Sequence, residues 1–282
     1  MMKKYFSGWY FKCQNDHETI AFIVANHQSK HKKSCSIQII TNEKSYNIDF
    51  PFESFQKQRD RFYMTIDHNV FSDQRIELHL NTSELTIEGT LIFDKLTPLT
   101  YDIMGPFQYI PFMQCKHSII SMRHCINGTL SINHKDYIFK NGLGYIEGDR
   151  GYSFPKQYAW THCFFKDGSL MLSVADIPFG IFHFTGIIGV ILLNDKEYRF
   201  ATYLKAKVIK KDNYEIIIKQ QDMIFKVKLI NRNDHLLLAP ENGNMIRTIH
   251  ESISCIASYT FIKGKHEIFS FKSCHASFEY EF

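Results

Sequence analysis

The residues of this 282-residue chain best suited to chemistry lie between Gly144 and Trp160, in the stretch GYIEGDRGYSFPKQYAW. An extended backbone over residues 145–150 puts Tyr145, Glu147 and Asp149 on one face and Ile146, Gly148 and Arg150 on the other. Carboxylates two residues apart on a strand stand about 7 Å apart, a spacing that suits an acid and a base working on one substrate. Aromatic walls would raise a carboxyl pKa by desolvation and keep the group protonated near neutrality. The competing reading is a strand end with solvated carboxylates, one of them paired with Arg150. A cation within about 4–6 Å would lower the pKa of Glu147 and weaken it as an acid. Strand parity favours an Arg150 that points away.

Three histidines sit near cysteines: His117 two residues after Cys115, His124 before Cys125 and His162 before Cys163. Zinc sites favour pairs such as CxxC or HxxxH, and "CKH" and "HC" match poorly, so no metal is expected and no cofactor is implied. No serine lies in GxSxG and no glycine-rich loop ends in GK[ST], which removes triad hydrolysis and nucleotide hydrolysis. The net charge is +4, from 33 basic and 29 acidic residues, too weak a bias for a nucleic-acid partner. The basic cluster at Lys30, His31, Lys32 and Lys33 reads as a solvated hairpin tip.

The elements that must position these groups read as strands. Phe (25) and Tyr (15) are abundant, and Ile, Thr and Val are frequent, a β-favouring bias. In ELTIEGTLIF, residues 84–93, Leu85, Ile87, Leu91 and Phe93 alternate with polar residues. RIELHL (75–80) and MIFKVKL (223–229) alternate in the same way. Turn signals such as Asn133-His134-Lys135-Asp136, Asn194-Asp195-Lys196 and Lys263-Gly264-Lys265 separate the runs. Many short strands joined by hairpins predict an antiparallel all-β protein, sandwich or barrel. About eight strands fit before residue 150 and about as many after it, more than one eight-stranded barrel needs. Gly151 and Pro155 interrupt pairing, so two β domains are expected, 1–150 and 151–282, with a pocket at their interface or in a barrel mouth. Residues 96–113, with three prolines, cannot be a central strand and read as a lid or strap. Residues 241–252 suit a short helix or a bulged edge strand.

The apolar run over 177–193 is shorter than the about 20 residues of a spanning helix and carries Pro178, Gly180, Gly186 and Gly189. It reads as two buried strands with a bend, so the chain is not expected to span a membrane. Seven scattered cysteines suggest reduced thiols and a cytoplasmic protein. The start, MMKKYFSGWYF, lacks the apolar region of a signal peptide. Exposed strand edges leave monomer and homodimer both open.

Four segments in order resemble the tocopherol cyclase family: FSGWYFK (6–12), MGPFQYIPFMQCKHSIISMRH (104–124), the Gly144–Trp160 stretch with the following THC, and NMIRTIHES (244–252). They are similar to the family's FEGWYFK, its GPF-Y-PFMEC-HG region and its GY-EK-WG-SFP signature. The family resembles carotenoid hydratases and other paired lipocalin-like proteins, more distantly. The resemblance implies two tandem lipocalin-like β-barrel or sandwich domains around an apolar cavity. It assigns Tyr145, Glu147, Asp149, Ser153, Phe154, Pro155 and Trp160 to that cavity, with Trp9 and Tyr10 from the first segment. Phe107, Tyr109, Phe112 and His117 follow from the second. The implied chemistry is closure of a ring: an acid protonates a prenyl double bond, a hydroxyl attacks the tertiary cation, and a base removes the proton. Glu147 is the expected acid, with Asp149 or His117 as the base, and the partner is an isoprenoid or other lipid-like small molecule. Departures from the family pattern are Ser7, Gln114, Ser118 and Gly148-Asp149-Arg150. A non-catalytic binder of an apolar ligand is the alternative, and a structural protein whose cavity is filled by side chains is a third reading.

Overall fold

A computed structural model describes residues 4–111, 113–179, 182–212 and 214–282, and the side chain of Phe179 lies outside this description. The chain is nearly all β, with a nearly closed antiparallel barrel sheet and a second sheet, as the alternating sequence predicts. Eleven strands, β1 to β11, form one sheet. Those that matter most here are β1 (Tyr5–Gln14), β2 (Thr19–Gln28), β3 (Lys33–Ile40), β10 (Cys115–Ile132) and β11 (Lys135–Gly151). With β4 (Ser45–Pro51), β5 (Phe55–Lys57), β6 (Tyr63–Ile66), β7 (Asn69–Ser72), β8 (Arg75–Asn81) and β9 (Thr86–Phe93), its order is β4-β3-β2-β1-β11-β10-β9-β8-β7-β6-β5. Strands β12 to β21 form the other sheet, including β12 (Tyr158–Phe165), β13 (Gly168–Phe179), β14 (Phe182–Leu193), β15 (Lys196–Ala201), β20 (Asn244–Lys263) and β21 (His266–Tyr280).

The turn chemistry works as the sequence suggests. Asn133 and His134 have φ of 49° and 66°, and Asn194 and Asp195 have 48° and 60°. Two consecutive left-handed residues make the tight turns whose twist matches antiparallel strands. The 177–193 run is the β13–β14 hairpin, and its bend, Gly180 and Ile181, falls outside the described residues. The 241–252 stretch is strand, not helix: β20 runs through it and its pairing with β21 slips at Ser252 and Cys255. Residues 96–113 hold no strand among those described, only a short 3₁₀ helix over Gly105–Tyr109. No helix among the described residues is long and apolar enough to cross a membrane. All seven cysteines are free thiols.

The chain divides into two compact units. The first comprises the described residues up to Thr100, with His117–Ser153 and Leu237–Arg247. The second comprises Tyr101–Lys116, Phe154–Leu236 and Thr248–Phe282. Each has its own core. In the first, Trp9, Phe11, Phe22, Ile37, Phe71, Leu91, Phe139 and Ile146 pack together; in the second, Leu172, Phe200, Phe225, Tyr259, Phe261 and Phe278 do so. Each such aromatic or aliphatic side chain contributes about 1.5–3 kcal/mol on burial.

Specific side-chain bonds hold distant segments within each unit. Within the first unit, the Gln38 side-chain amide bonds the Leu238 backbone in both directions at 2.9 Å. Asn242 N donates to Ser153 Oγ at 2.7 Å. Within the second unit, Arg199 donates to the carbonyls of Tyr101 and Asp102 at 2.7 and 3.3 Å. Its guanidinium stacks 3.5 Å from the Tyr101 ring centroid and pairs with Glu197 at 2.7 Å.

Candidate active site

Register decides which residues share a face. In the β1–β11 pair, Lys12 lies opposite Tyr145, Tyr10 opposite Glu147 and Gly8 opposite Asp149. Side chains of directly opposed residues project to the same side of a sheet, so Tyr10, Lys12, Tyr145, Glu147 and Asp149 share one face. Trp9, Phe11 and Ile146 take the other, which is the packed core of this unit. The carboxylate face is therefore distinct from the core, yet it is also buried: Tyr145 is fully buried and Glu147 is 6% exposed.

The same parity settles Arg150. It opposes Ser7 on the Trp9 side and its charge acts on Lys57, whose ammonium lies 4.5 Å from the centroid of the Trp9 ring. Arg150 thus sits across the sheet from Glu147. Gly148 is required by the same packing, because a Cβ there would stand 2.8 Å from Trp9 Cδ1.

His117 of β10 lies between the two carboxylates. Its Nδ1 is 3.0 Å from Asp149 Oδ1 in hydrogen-bond geometry. Its Nε2 is 3.2 Å from Glu147 Oε2, without the alignment of a hydrogen bond. Glu147 Oε2 also accepts a hydrogen bond from the Tyr145 hydroxyl. The neighbouring Ser118 Oγ donates to the Gly148 carbonyl at 2.9 Å and ties β10 to β11 beside the histidine. Exposure is graded along this line: the side chains of Glu147, His117 and Asp149 are 7%, 9% and 22% exposed.

Burial alone would push the His117 pKa down. The charges of Glu147 and Asp149 act the other way and prevail, so it lies well above the ordinary 6.5. The two carboxyl groups thus favour the imidazolium form of His117. Burial, and then the charge of Glu147, raise the Tyr145 pKa well above 10, so its hydroxyl stays neutral and donates. A carboxyl oxygen of Asp149 stands at Nδ1 and one of Glu147 at Nε2.

His117, Glu147 and Asp149 also form a one-histidine, two-carboxylate group whose ligand atoms lie within 4.8 Å of one another. A metal ion takes one ring nitrogen and gathers the oxygens around itself. Here the two oxygens face different nitrogens, and the ring fills the place between them. The arrangement fits a proton carrier rather than a metal. His124 is unrelated to it: burial pushes its pKa down to about 4 and it packs 4.7 Å from the Phe93 ring.

Of the residues expected at the site, Tyr10, His117, Tyr145, Glu147 and Asp149 come together in the first unit. Trp9 is in the core, stacked on Phe55 at 6.1 Å. Ser153 is buried in the loop after β11 and accepts from Asn242. In the second unit, Phe107 packs on Phe184 and Tyr203 at 6.2 and 5.9 Å. Tyr109 is 80% exposed, Phe154 lies edge-on to Tyr158, and Trp160 opposes Glu279. Phe112 lies outside the described residues. Lys12 was not anticipated: it is fully buried on the Glu147 face, although lysine is almost never fully buried. Its position two residues after Tyr10 is the sequence signal for it.

The sequence matches no protein-family model, and no curated protein matches it significantly. Solved structures do match over nearly the whole chain. A protein assigned as AttH from Nitrosomonas europaea aligns with 98% of this chain and 92% of its own, at TM-score 0.51 and 10% identity. Kievitone hydratase from Nectria haematococca aligns with 99% of this chain and 89% of its own, at 0.52 and 10%. CghA, crystallised with Sch210972, aligns with 99% and 89%, at 0.61 and 7%. At these identities the likeness establishes the fold, a lipocalin-like barrel architecture.

Proposed function

We propose that this protein is an acid–base catalyst, tocopherol cyclase-like in chemistry, that acts on the double bond of an isoprenoid or prenylquinol-like molecule. The observation that carries the reading is the buried ring of His117 between Glu147 and Asp149, on a sheet face separate from the core. A buried proton donor beside a carboxylate is what addition across an unactivated alkene requires. His117 stores the proton and Glu147 hands it to the substrate. The resulting tertiary cation is stabilised by the aromatic faces of Tyr10 and Tyr145 and by the neighbouring carboxylates. A hydroxyl attacks, and its proton returns to Glu147. Exclusion of water by the buried site limits trapping of the cation. That one neighbour in fold is a hydratase and another is crystallised with a small molecule agrees with this chemistry.

The test has two parts. Organic extraction and mass spectrometry of the purified protein identify any co-purifying lipid, and a panel of prenylated hydroquinones is then assayed for cyclised or hydrated product. General acid–base groups contribute about 10²–10⁴-fold, so Glu147→Gln and Tyr145→Phe should both lower turnover, the first by that amount. A bound lipid with no conversion, and full ligand retention in Glu147→Gln, would replace this reading with non-catalytic binding of an apolar molecule.

A further inference from the structure

The two contacts of His117 are unequal. Nδ1 meets Asp149 at 3.0 Å in hydrogen-bond geometry, whereas Nε2 meets Glu147 at 3.2 Å out of line. The acceptors differ as well. Asp149 is the more exposed carboxylate, with 22% of its side chain open, so water helps to hold its charge while one oxygen stays on Nδ1. Glu147 Oε2 is drier and already accepts from Tyr145. Ser118 and Gly148, the chain neighbours of His117 and Asp149, are bonded to each other, which fixes the two strands where this pair sits. Lys12 and Tyr10 of β1, His27 of β2 and Tyr145 of β11 are further titratable groups on the face, with Asp49 on the outer strand beside β3.

We infer that Asp149 is a positioning residue that locks His117 as the Nδ1–H form, leaving Nε2 as the nitrogen that exchanges its proton with Glu147. This rests on the acid–base reading above and specifies its proton path. In the forward step the Nε2–H bond breaks and an Oε2–H bond forms. The ring becomes neutral with its remaining proton on Nδ1 against Asp149, and Glu147 becomes the acid. Donation to the double bond returns Glu147 to carboxylate. The proton released by the attacking hydroxyl passes to Oε2 and then to Nε2, which restores the site without any further reactant. Asp149 touches neither substrate nor transferred proton; it acts through the ring, and Glu147 serves as both donor and acceptor.

The test is ¹⁵N NMR of the histidine-labelled full chain across pH, which requires no substrate. In the wild type both ring nitrogens of His117 are expected to carry protons at neutral pH. Above the midpoint the surviving proton is expected on Nδ1. Asp149→Asn keeps the side-chain shape without the charge, and it should lower the midpoint and lose the preference for Nδ1–H. Glu147→Gln should lower the midpoint yet keep Nδ1–H, and it decides the matter alone if Asp149→Asn fails to fold. A neutral wild-type ring protonated on Nε2, or an Asp149→Asn protein with unchanged midpoint and tautomer, overturns the inference. Nδ1–H with no conversion of any prenylated quinol leaves the inference standing and sinks the catalytic reading. Nε2–H with conversion still lost in Glu147→Gln sinks the inference alone.

Discussion

Replacing Glu147 by Gln, His117 by Gln and both together measures how strongly the buried ring holds its charge. At 3.2 Å and an effective dielectric near 20, opposite unit charges attract by about 5 kcal/mol. Asp149 at 3.0 Å adds about as much. Removing an imidazolium from water costs several kcal/mol. Two carboxylates outweigh that cost, while one roughly balances it, which explains why His117 titrates above its ordinary value in spite of its burial. Water and side-chain relaxation discount the gross attraction, so urea unfolding of the four proteins at pH 7 should give a coupling of roughly 2–4 kcal/mol. The pH dependence follows from the raised folded pKa. The charge-dependent stability is fully present below the unfolded value near 6.5 and is lost as pH rises through the folded value. The coupling should therefore shrink on going alkaline. A coupling below about 0.5 kcal/mol at pH 7, or one that grows with pH, would show that the ring is not a buried cation and would refute the reasoning.

Three other outcomes are expected. Gly148→Ala drives a methyl group into Trp9 and should cost about 1–3 kcal/mol, read as a lower melting temperature, while the His117 NMR signals on the other face stay in place. Arg199→Lys loses the fork that holds the Tyr101 and Asp102 carbonyls and the Tyr101 ring. It should cost about 1–3 kcal/mol and speed proteolysis within residues 101–109; an unchanged cleavage rate would discount the tether. Treatment with a strong chelator should leave the His117 ring signals and any turnover unaltered, because the ring itself stands between the two carboxyl groups.

Much of the fold was legible because alternation is local. Ile76, Leu78 and Leu80, or Phe225, Val227 and Leu229, announce a buried strand face within a few residues, and Asn133-His134 announces its own turn. The side-by-side placement of Tyr145, Glu147 and Asp149, with Arg150 across the sheet, was legible for the same reason. What lay out of reach depends on register between distant strands. Trp9 and Tyr10 are adjacent in sequence, and only the pairing of Trp9 with Gly148 and of Tyr10 with Glu147 sends the first to the core and the second to the carboxylates. The insertion of His117 between Glu147 and Asp149 requires β10 and β11 to align at their far ends. That an imidazole stands between the two carboxyl groups depends on this long-range alignment and leaves no trace in the local sequence. Arg199 holding Tyr101 and Asp102, and Gln38 holding Leu238, bring together residues about 100 and 200 positions apart, a reach that leaves no local pattern.

The central claim, proton transfer to a double bond from the Glu147–His117 pair, is tested most directly by turnover of a prenylated hydroquinone in D₂O. Wild-type product should carry one deuterium on carbon, and Glu147→Gln should lower its yield by about 10²-fold or more. Product that forms at the wild-type rate in Glu147→Gln, or without deuterium on carbon, would contradict it.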